Sequence, residues 1–320
     1  MALDRIAQNR FLVLGRAGLD LYADPPGVRV EAAQKYSSAL GGSAANIAAG
    51  ITRLGGVASL VSAVSDDAVG RFILQELKRY DIGAEHVRSV GGEARTSLAV
   101  VETRRDNCQS IIYRNGAADF QISEAQLREV PFKDFGALIV TGTAFAVEPS
   151  RLCSFLAMEL ARAAGLAIIF DVDYRPYSWV SAEDAAVMSY RVATLSDIVV
   201  GNDEEFGVMA GGSDGFALAK ELTSISVDVV VYKKGEHGSV TICKDKNFET
   251  PIFQVKALKP TGAGDSFLSA FVTSLASGYD LETSVRRGSA AAAIVVTRVA
   301  CAPAMPTTYE LTDFIAKHTN

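Results

Sequence analysis

Short, mostly apolar runs alternate with longer segments of helical spacing through the second half of this chain, and few folds accept that pattern. Strand candidates fall at 137–141, 166–170, 198–200 and 227–232, and the stretches between them carry helix-type periodicity. A run that is apolar at nearly every position is buried on both faces. Parallel neighbours also need a crossover between them, usually a helix. The expected fold is therefore α/β, with a mostly parallel central sheet covered by helices on both sides. The first half starts the same way. A strand at 11–15 is followed by a small-residue helix at 43–54 after Gly41-Gly42, a strand at 57–64 and a helix at 66–80 that ends before Gly83.

The pattern changes between 86 and 114. Short alternating runs at 96–101 and 109–113 flank the polar turn Arg104-Arg105-Asp106-Asn107, which reads as a β-hairpin outside the main sheet. With 28–38 it would form a small β-sheet lid. One domain over 1–320 is expected, with the lid built from insertions at about 20–40 and 86–116. Helices follow at 266–277, 281–298 and 309–317.

Composition narrows the function classes. The net charge is −6 and the lysines and arginines are scattered, so no basic stripe offers itself to nucleic acid or a membrane surface. Anionic ligands must be caught locally. Cys108, Cys153, Cys243 and Cys301 lie far apart without a Cys-x-x-Cys pair, which disfavours a zinc site or a disulfide framework and suits the cytoplasm. Residues 1–10 lack an apolar leader core, and the longest apolar run, 290–296, is too short to cross a bilayer.

Against this background one motif stands out. Gly262-Ala263-Gly264-Asp265 opens directly into the apolar run Ser266-Phe267-Leu268-Ser269-Ala270-Phe271-Val272, so a glycine turn places a carboxylate in the first turn of a buried helix. Unpaired N–H groups and the positive end of the peptide dipole favour phosphate there. A carboxylate beside them can take a proton from a hydroxyl. The same residues also suit an ordinary helix start with a first-turn acid.

Other clusters lie just after strand candidates, where open α/β sheets bind ligands. Gly41-Gly42 with Asn46 can face a polyol or simply pack a helix tightly. Asp20 offers a carboxylate to hydroxyl groups or is a loop acid. Asn202 and Glu205 are helical neighbours that could hold the water shell of Mg²⁺ or merely cap a helix. Lys233, Lys234, Gly235 and Gly238 suit a turn around a nucleotide or a plain β-turn. Arg114 and Arg175, converging on one pocket, would recognise a carboxylate; apart, they are surface ion pairs. Gly211-Gly212-Ser213-Asp214-Gly215 matches a hydrolase nucleophile elbow but follows helical spacing and not a strand. Neither a P-loop nor a dinucleotide fingerprint occurs.

Taken together, Gly41-Gly42 with Asn46, Asn202 with Glu205, Lys234-Gly235 and Gly262-Ala263-Gly264-Asp265 resemble, in order and spacing, the PfkB or ribokinase-like family of carbohydrate kinases. The likeness spans almost the whole chain. Within the family, Gly15-Arg16-Ala17-Gly18-Leu19-Asp20, Tyr113-Arg114-Asn115-Gly116, Arg175-Pro176-Tyr177-Ser178-Trp179 and Lys259-Pro260-Thr261 are similar to members that act on a keto sugar acid of inositol catabolism. The resemblance implies a ribokinase-like three-layer fold, ATP and Mg²⁺ as cofactors, and a homodimer paired through the lid. It implies Asp265 as the base for a primary hydroxyl and the N–H groups of Ala263 and Gly264, next to Gly262, as an anion hole. Asp20, Gly41, Gly42 and Asn46 would hold the sugar, and Arg114 and Arg175 its acid end. Asn202 and Glu205 would organise Mg²⁺, and Lys233, Gly235, Gly238 and Ser289 would border ATP. Pro260 stands where many members carry an acid tied to a monovalent-cation site, which leaves a potassium requirement open. A 2-keto-3-deoxygluconate kinase is the nearest rival reading, and a catalytically silent sugar-acid sensor is the rival of another class.

Overall fold

The computed structural model describes residues 2–244 and 246–318. After a short helix α1 (Ala2–Ile6), β1 (Arg10–Leu14) enters the core, and β2 (Gly18–Asp24) and β3 (Lys35–Gly41) leave it again. Helix α2 (Ser43–Arg53) then returns the chain to β4 (Val57–Ser65), and α3 (Ala68–Arg79) leads to β5 (Val87–Val90). The hairpin β6 (Leu98–Val101) and β7 (Ser110–Tyr113) follows, then α4 (Glu124–Arg128). The second half alternates strictly: β8 (Ala137–Thr141), α5 (Ser150–Ala164), β9 (Ala167–Asp171), α6 (Ala182–Thr194) and β10 (Ile198–Asn202). Two helices, α7 (Asp203–Met209) and α8 (Gly215–Ile225), precede β11 (Val229–Lys233), which folds back through β12 (Ser239–Cys243) and β13 (Asn247–Thr250). Three helices complete the chain: α9 (Ala263–Ala276), α10 (Leu281–Val296) and α11 (Thr308–Lys317).

The main sheet runs β13-β12-β11-β10-β9-β8-β1-β4-β5, parallel except for β12 and β13. Side chains alternate between its faces, as a two-residue period demands. Leu12, Leu138, Val140, Phe170 and Val199 pack with α5 and α6 on one face; Phe11, Val13, Ile139, Ile169 and Val200 pack with α2 and α9 on the other. The chain moves outward from β1 to β5 and then resumes on the opposite side at β8. Between β1 and β8 the direction of winding reverses, and there the carboxyl ends of the strands leave a crevice.

A separate four-stranded sheet, β3-β2-β6-β7, stands apart from the main one. It draws on 18–41 and 98–113, whereas Val87–Val90, inside the stretch expected for the lid, pairs with β4 and extends the main sheet. Its apolar run is short and one-sided, so neither its length nor its pattern separates an edge strand of one sheet from that of another. Among the described residues no helix is long and apolar enough to cross a membrane.

Candidate active site

Gly262 begins α9 in the left-handed region, φ +84°, where a Cβ would also sit 2.9 Å from Cys301 Sγ. No side chain caps this helix start. Beyond it the apolar run buries itself against α2, at a place where Gly50 leaves room for Ser269. Ser269 Oγ hydrogen-bonds the main-chain oxygens of Ile47 (3.0 Å) and Asp265 (2.6 Å), which sets the register of the two helices. In that register Ser43 and Asn46, three apart on one face of α2, both point at Asp265. Ser43 Oγ donates to Asp265 Oδ1 and Asn46 Nδ2 to Oδ2, each at 2.8 Å. The carboxylate is thus held by a neighbouring helix and not spent on its own. Burial raises its pKa to about 6, with Asp173 adding to the rise and Asn46 and Ser43 opposing it. A fixed carboxylate that binds a proton close to neutrality is what general-base chemistry needs.

More charge gathers on the carboxyl rim of β9 to β11. Asp171 and Asp173 are 4% and 5% exposed, and Glu205 is 7% exposed. Burial drives the pKa of Asp171 well up; Lys233 opposes the shift, while Asp173, Glu205 and Asp265 reinforce it. Lys233 is the compensating cation. Its Nζ would lie 3.4 Å from a Cβ on Gly264, so the ammonium faces the bare start of α9 with no side chain between. Main-chain N–H groups, a dipole and a lysine at one point favour an anion.

Asn202 and Glu205 form a reciprocal cap at α7. Asn202 Oδ1 accepts from Glu205 N (2.9 Å), and Glu205 Oε2 accepts from Asn202 N (2.7 Å). Glu205 Oε1 also accepts from Tyr174 N at 3.3 Å. Among the described residues no group of three acidic, histidine or cysteine side chains could hold a metal alone. Yet burial and the charges of Asp173, Glu205 and Asp265 all disfavour ionised Asp171, and burial with Asp173 disfavours ionised Asp265, a burden that a nearby divalent cation relieves. The set fits Mg²⁺ shared with phosphate oxygens and water.

Gly235 (φ +55°) and Gly238 (φ +78°) make the tight turn after β11. A Cβ on Gly238 would collide with the Thr250 carbonyl next to Pro251, and Ser289 Oγ donates to Pro251 O at 3.3 Å. Gly238 and Ser289 therefore meet at one stretch of chain, adjacent to the Lys233 end of β11.

At this rim three guanidinium groups come together, from Arg16 after β1, Arg114 after β7 of the small sheet and Arg175 after β9. Arg114 pairs with Asp119 (2.6 Å), lies 4.2 Å from the Phe120 ring centre and donates to Thr143 O (3.4 Å). Thr143 Oγ1 donates to Asp173 Oδ2 (3.2 Å), and Asp173 Oδ1 pairs with Arg175 at 2.8 Å. Arg16, just after β1, donates to Ser97 Oγ (2.7 Å) and reaches Asp20 Oδ1 (3.5 Å). Arg175, Arg16 and Arg114 all lie close enough for their charges to act on the phenol of Tyr177, which is 56% exposed. They share one neighbourhood. Asp20 is buried there, its pKa raised by burial, with Tyr22 donating to Oδ2 at 3.1 Å. A side chain on Gly41 would strike the Asp20 carboxylate, and one on Gly42 (φ +96°) the Arg16 carbonyl, so both glycines are space the site requires.

Sequence reading did not single out Arg16, Ser43, Asp171, Asp173 or Tyr177 as site residues. Arg16 directly follows the strand at the switch point, the one signal that could have drawn attention to it. The separate sheet, the parallel core and the chemistry gathered on one rim define a ribokinase-like α/β kinase fold. Residues 8–308 match the family described as pfkB family carbohydrate kinase, and the chain belongs to that family. A 5-dehydro-2-deoxygluconokinase of Photobacterium profundum is 40% identical over 95% of this chain and 94% of its own length. A 5-dehydro-2-deoxygluconokinase 2 of Bacillus cereus is 37% identical over the same shares. Among solved structures, a fructokinase with bound ATP from Xylella fastidiosa superposes with a TM-score of 0.87 at 23% identity, covering 98% of this chain and 100% of the other; it shares the fold. The protein is a carbohydrate kinase, a phosphotransferase with an alcohol group as acceptor.

Proposed function

We propose that this kinase transfers the γ-phosphoryl group of ATP to the terminal C6 hydroxyl of 5-dehydro-2-deoxy-D-gluconate, a step of myo-inositol catabolism in the cytoplasm. The observation that carries this reading is Asp265, fixed by Ser43 and Asn46 beside an uncapped helix start and Lys233. The names of relatives at 37–40% identity support the particular acid. The arginine cluster supports a carboxylate independently: each charged hydrogen bond contributes roughly 1.5–3 kcal/mol, enough for about tenfold to hundredfold preference over a neutral sugar.

In this mechanism Asp20, Gly41, Gly42 and Asn46 position the hydroxyl groups, while Arg114 and Arg175, joined by Arg16, take the acid end. Asp265 accepts the proton of the attacking hydroxyl. The N–H groups of Ala263 and Gly264 hold the transferred group in line, and Lys233 neutralises it, so catalysis is mainly positioning and charge stabilisation. Gly235, Gly238 and Ser289 border the nucleotide. Mg²⁺, when bound through water near Asn202 and Glu205, supplies charge neutralisation between the phosphates. The small sheet acts as the lid, and its exposed Tyr36, Ile111 and Tyr113 make it the pairing face of a homodimer.

A coupled ADP-release assay over a panel of sugar acids tests the assignment. The highest kcat/KM is expected with 5-dehydro-2-deoxygluconate. Faster turnover of 2-keto-3-deoxygluconate would reassign the substrate, and tight binding of acids without ADP release would make the chain a sensor. Light scattering on a Tyr113→Asp variant tests the pairing face, with loss of the dimer as the expected result.

A further inference from the structure

Lys259 is 0% exposed, a charged side chain enclosed as completely as the core leucines. No carboxylate pairs with it among the described residues; its Nζ donates to two main-chain carbonyls, Thr261 O at 2.5 Å and Val295 O at 3.4 Å. Thr261 immediately precedes Gly262, and Val295 lies in the last turn of α10, where the helix dipole favours positive charge. The Leu258 and Lys259 N–H groups both reach Val296 O, so the segment before α9 is clasped to the end of α10. Pro260 removes one N–H with which that segment could satisfy its own carbonyls. Burying an ammonium costs much more than burying a methionine of similar size, so packing alone does not account for the charge.

A unit positive charge held by main-chain oxygens, without a counter-carboxylate, is the coordination chemistry of an alkali cation. We propose that Lys259 is a built-in monovalent cation: its ammonium fixes the turn that presents the N–H groups of α9, and the kinase therefore works without potassium or sodium. Lys259 is a positioning residue, and the inference rests on the reading of the α9 start as the phosphoryl-holding turn. Burial lowers its pKa, while Cys301 and Asp265 favour the charged form.

The test compares potassium, ammonium and tetramethylammonium at equal ionic strength, reading both turnover and melting temperature. Wild-type kcat should agree across the three within about twofold. Lys259→Ala should lose about tenfold to hundredfold in kcat with little change in sugar KM, and potassium or ammonium, but not tetramethylammonium, should restore about tenfold. Its melting temperature should rise with the same two cations, a readout that stands whether or not the sugar assignment is right. Lys259→Met, which fills the space, should show the loss without the rescue. Potassium activation of the wild type by more than about fivefold would overturn the proposal even if neither variant folds. So would a folded alanine variant indifferent to every cation in both readouts.

Discussion

Two helices start on the same rim with an acid in the first turn, and they differ in what that acid is used for. At α7 the side chains of Asn202 and Glu205 satisfy each other's main-chain N–H groups, closing the helix on itself. At α9 a left-handed glycine takes the cap position without offering a side chain, and Asp265 turns to donors on α2. The first is a finished hydrogen-bond circuit. The second leaves N–H groups and a dipole for a ligand, and keeps a carboxylate whose proton affinity burial has raised. Acidic residues at helix starts are therefore no guide to catalysis until the partner of each oxygen is known.

The contrast is broken most directly at Asp265. Replacing it with Asn should lower kcat by about 10²–10⁴ with ATP affinity nearly unchanged, measured by steady-state kinetics and nucleotide titration. Near-normal turnover would reduce α9 to another capped start. Gly262→Ala comes next: forcing a Cβ into positive φ against Cys301 should cost about 1–2 kcal/mol of stability in urea melts, and about tenfold or more in kcat as the turn shifts. Arg175→Ala should erase about tenfold to hundredfold of the preference for acids over neutral sugars; unchanged selectivity would place carboxylate recognition elsewhere.

The pH dependence of kcat/KM sharpens the same point. Asp265 acts as a base only when ionised, and its pKa lies at about 6. Activity should plateau above that value and fall about tenfold per unit below it as the carboxylate takes up its proton. A profile flat down to pH 5 would mean that another group carries the proton. The smallest effect is expected at α7, where Asn202→Ala should remove about 1 kcal/mol of stability through the lost cap and change kcat by less than about tenfold. A kinetic loss as large as at Asp265 would put the two helix starts on equal footing.

Much of this was legible because the pattern of the main sheet is strong. The strands at 137–141 and 198–200 are apolar except for Thr141 and lie within 3 residues of their observed ends. Asp265 and Asn46 were legible for another reason: glycine turns before buried helices are few, and their chemistry is local. The strand Gly18–Asp24 was not read, because its pattern is inverted, with Asp20 and Tyr22 buried while Leu19 and Leu21 are half-exposed. A polar residue turned inward towards a site looks, in sequence, like one turned outward to water. Arg16, Asp171 and Asp173 were missed for the same physical cause. Their meaning comes from partners up to 128 positions away, as with Ser43 and Asp171, and no local spacing encodes that distance.

All seven parallel strands of the main sheet, β1, β4, β5 and β8 to β11, aim their carboxyl ends at one rim, and the crossovers return to the other. The turns at 165, 195–197 and 226–228 lie on that far side, behind the sheet's full depth of packed side chains. They form a blank side on which tethers, tags or fluorescent reporters can be grafted, so the kinase can be immobilised by its back while its working edge stays open to solution.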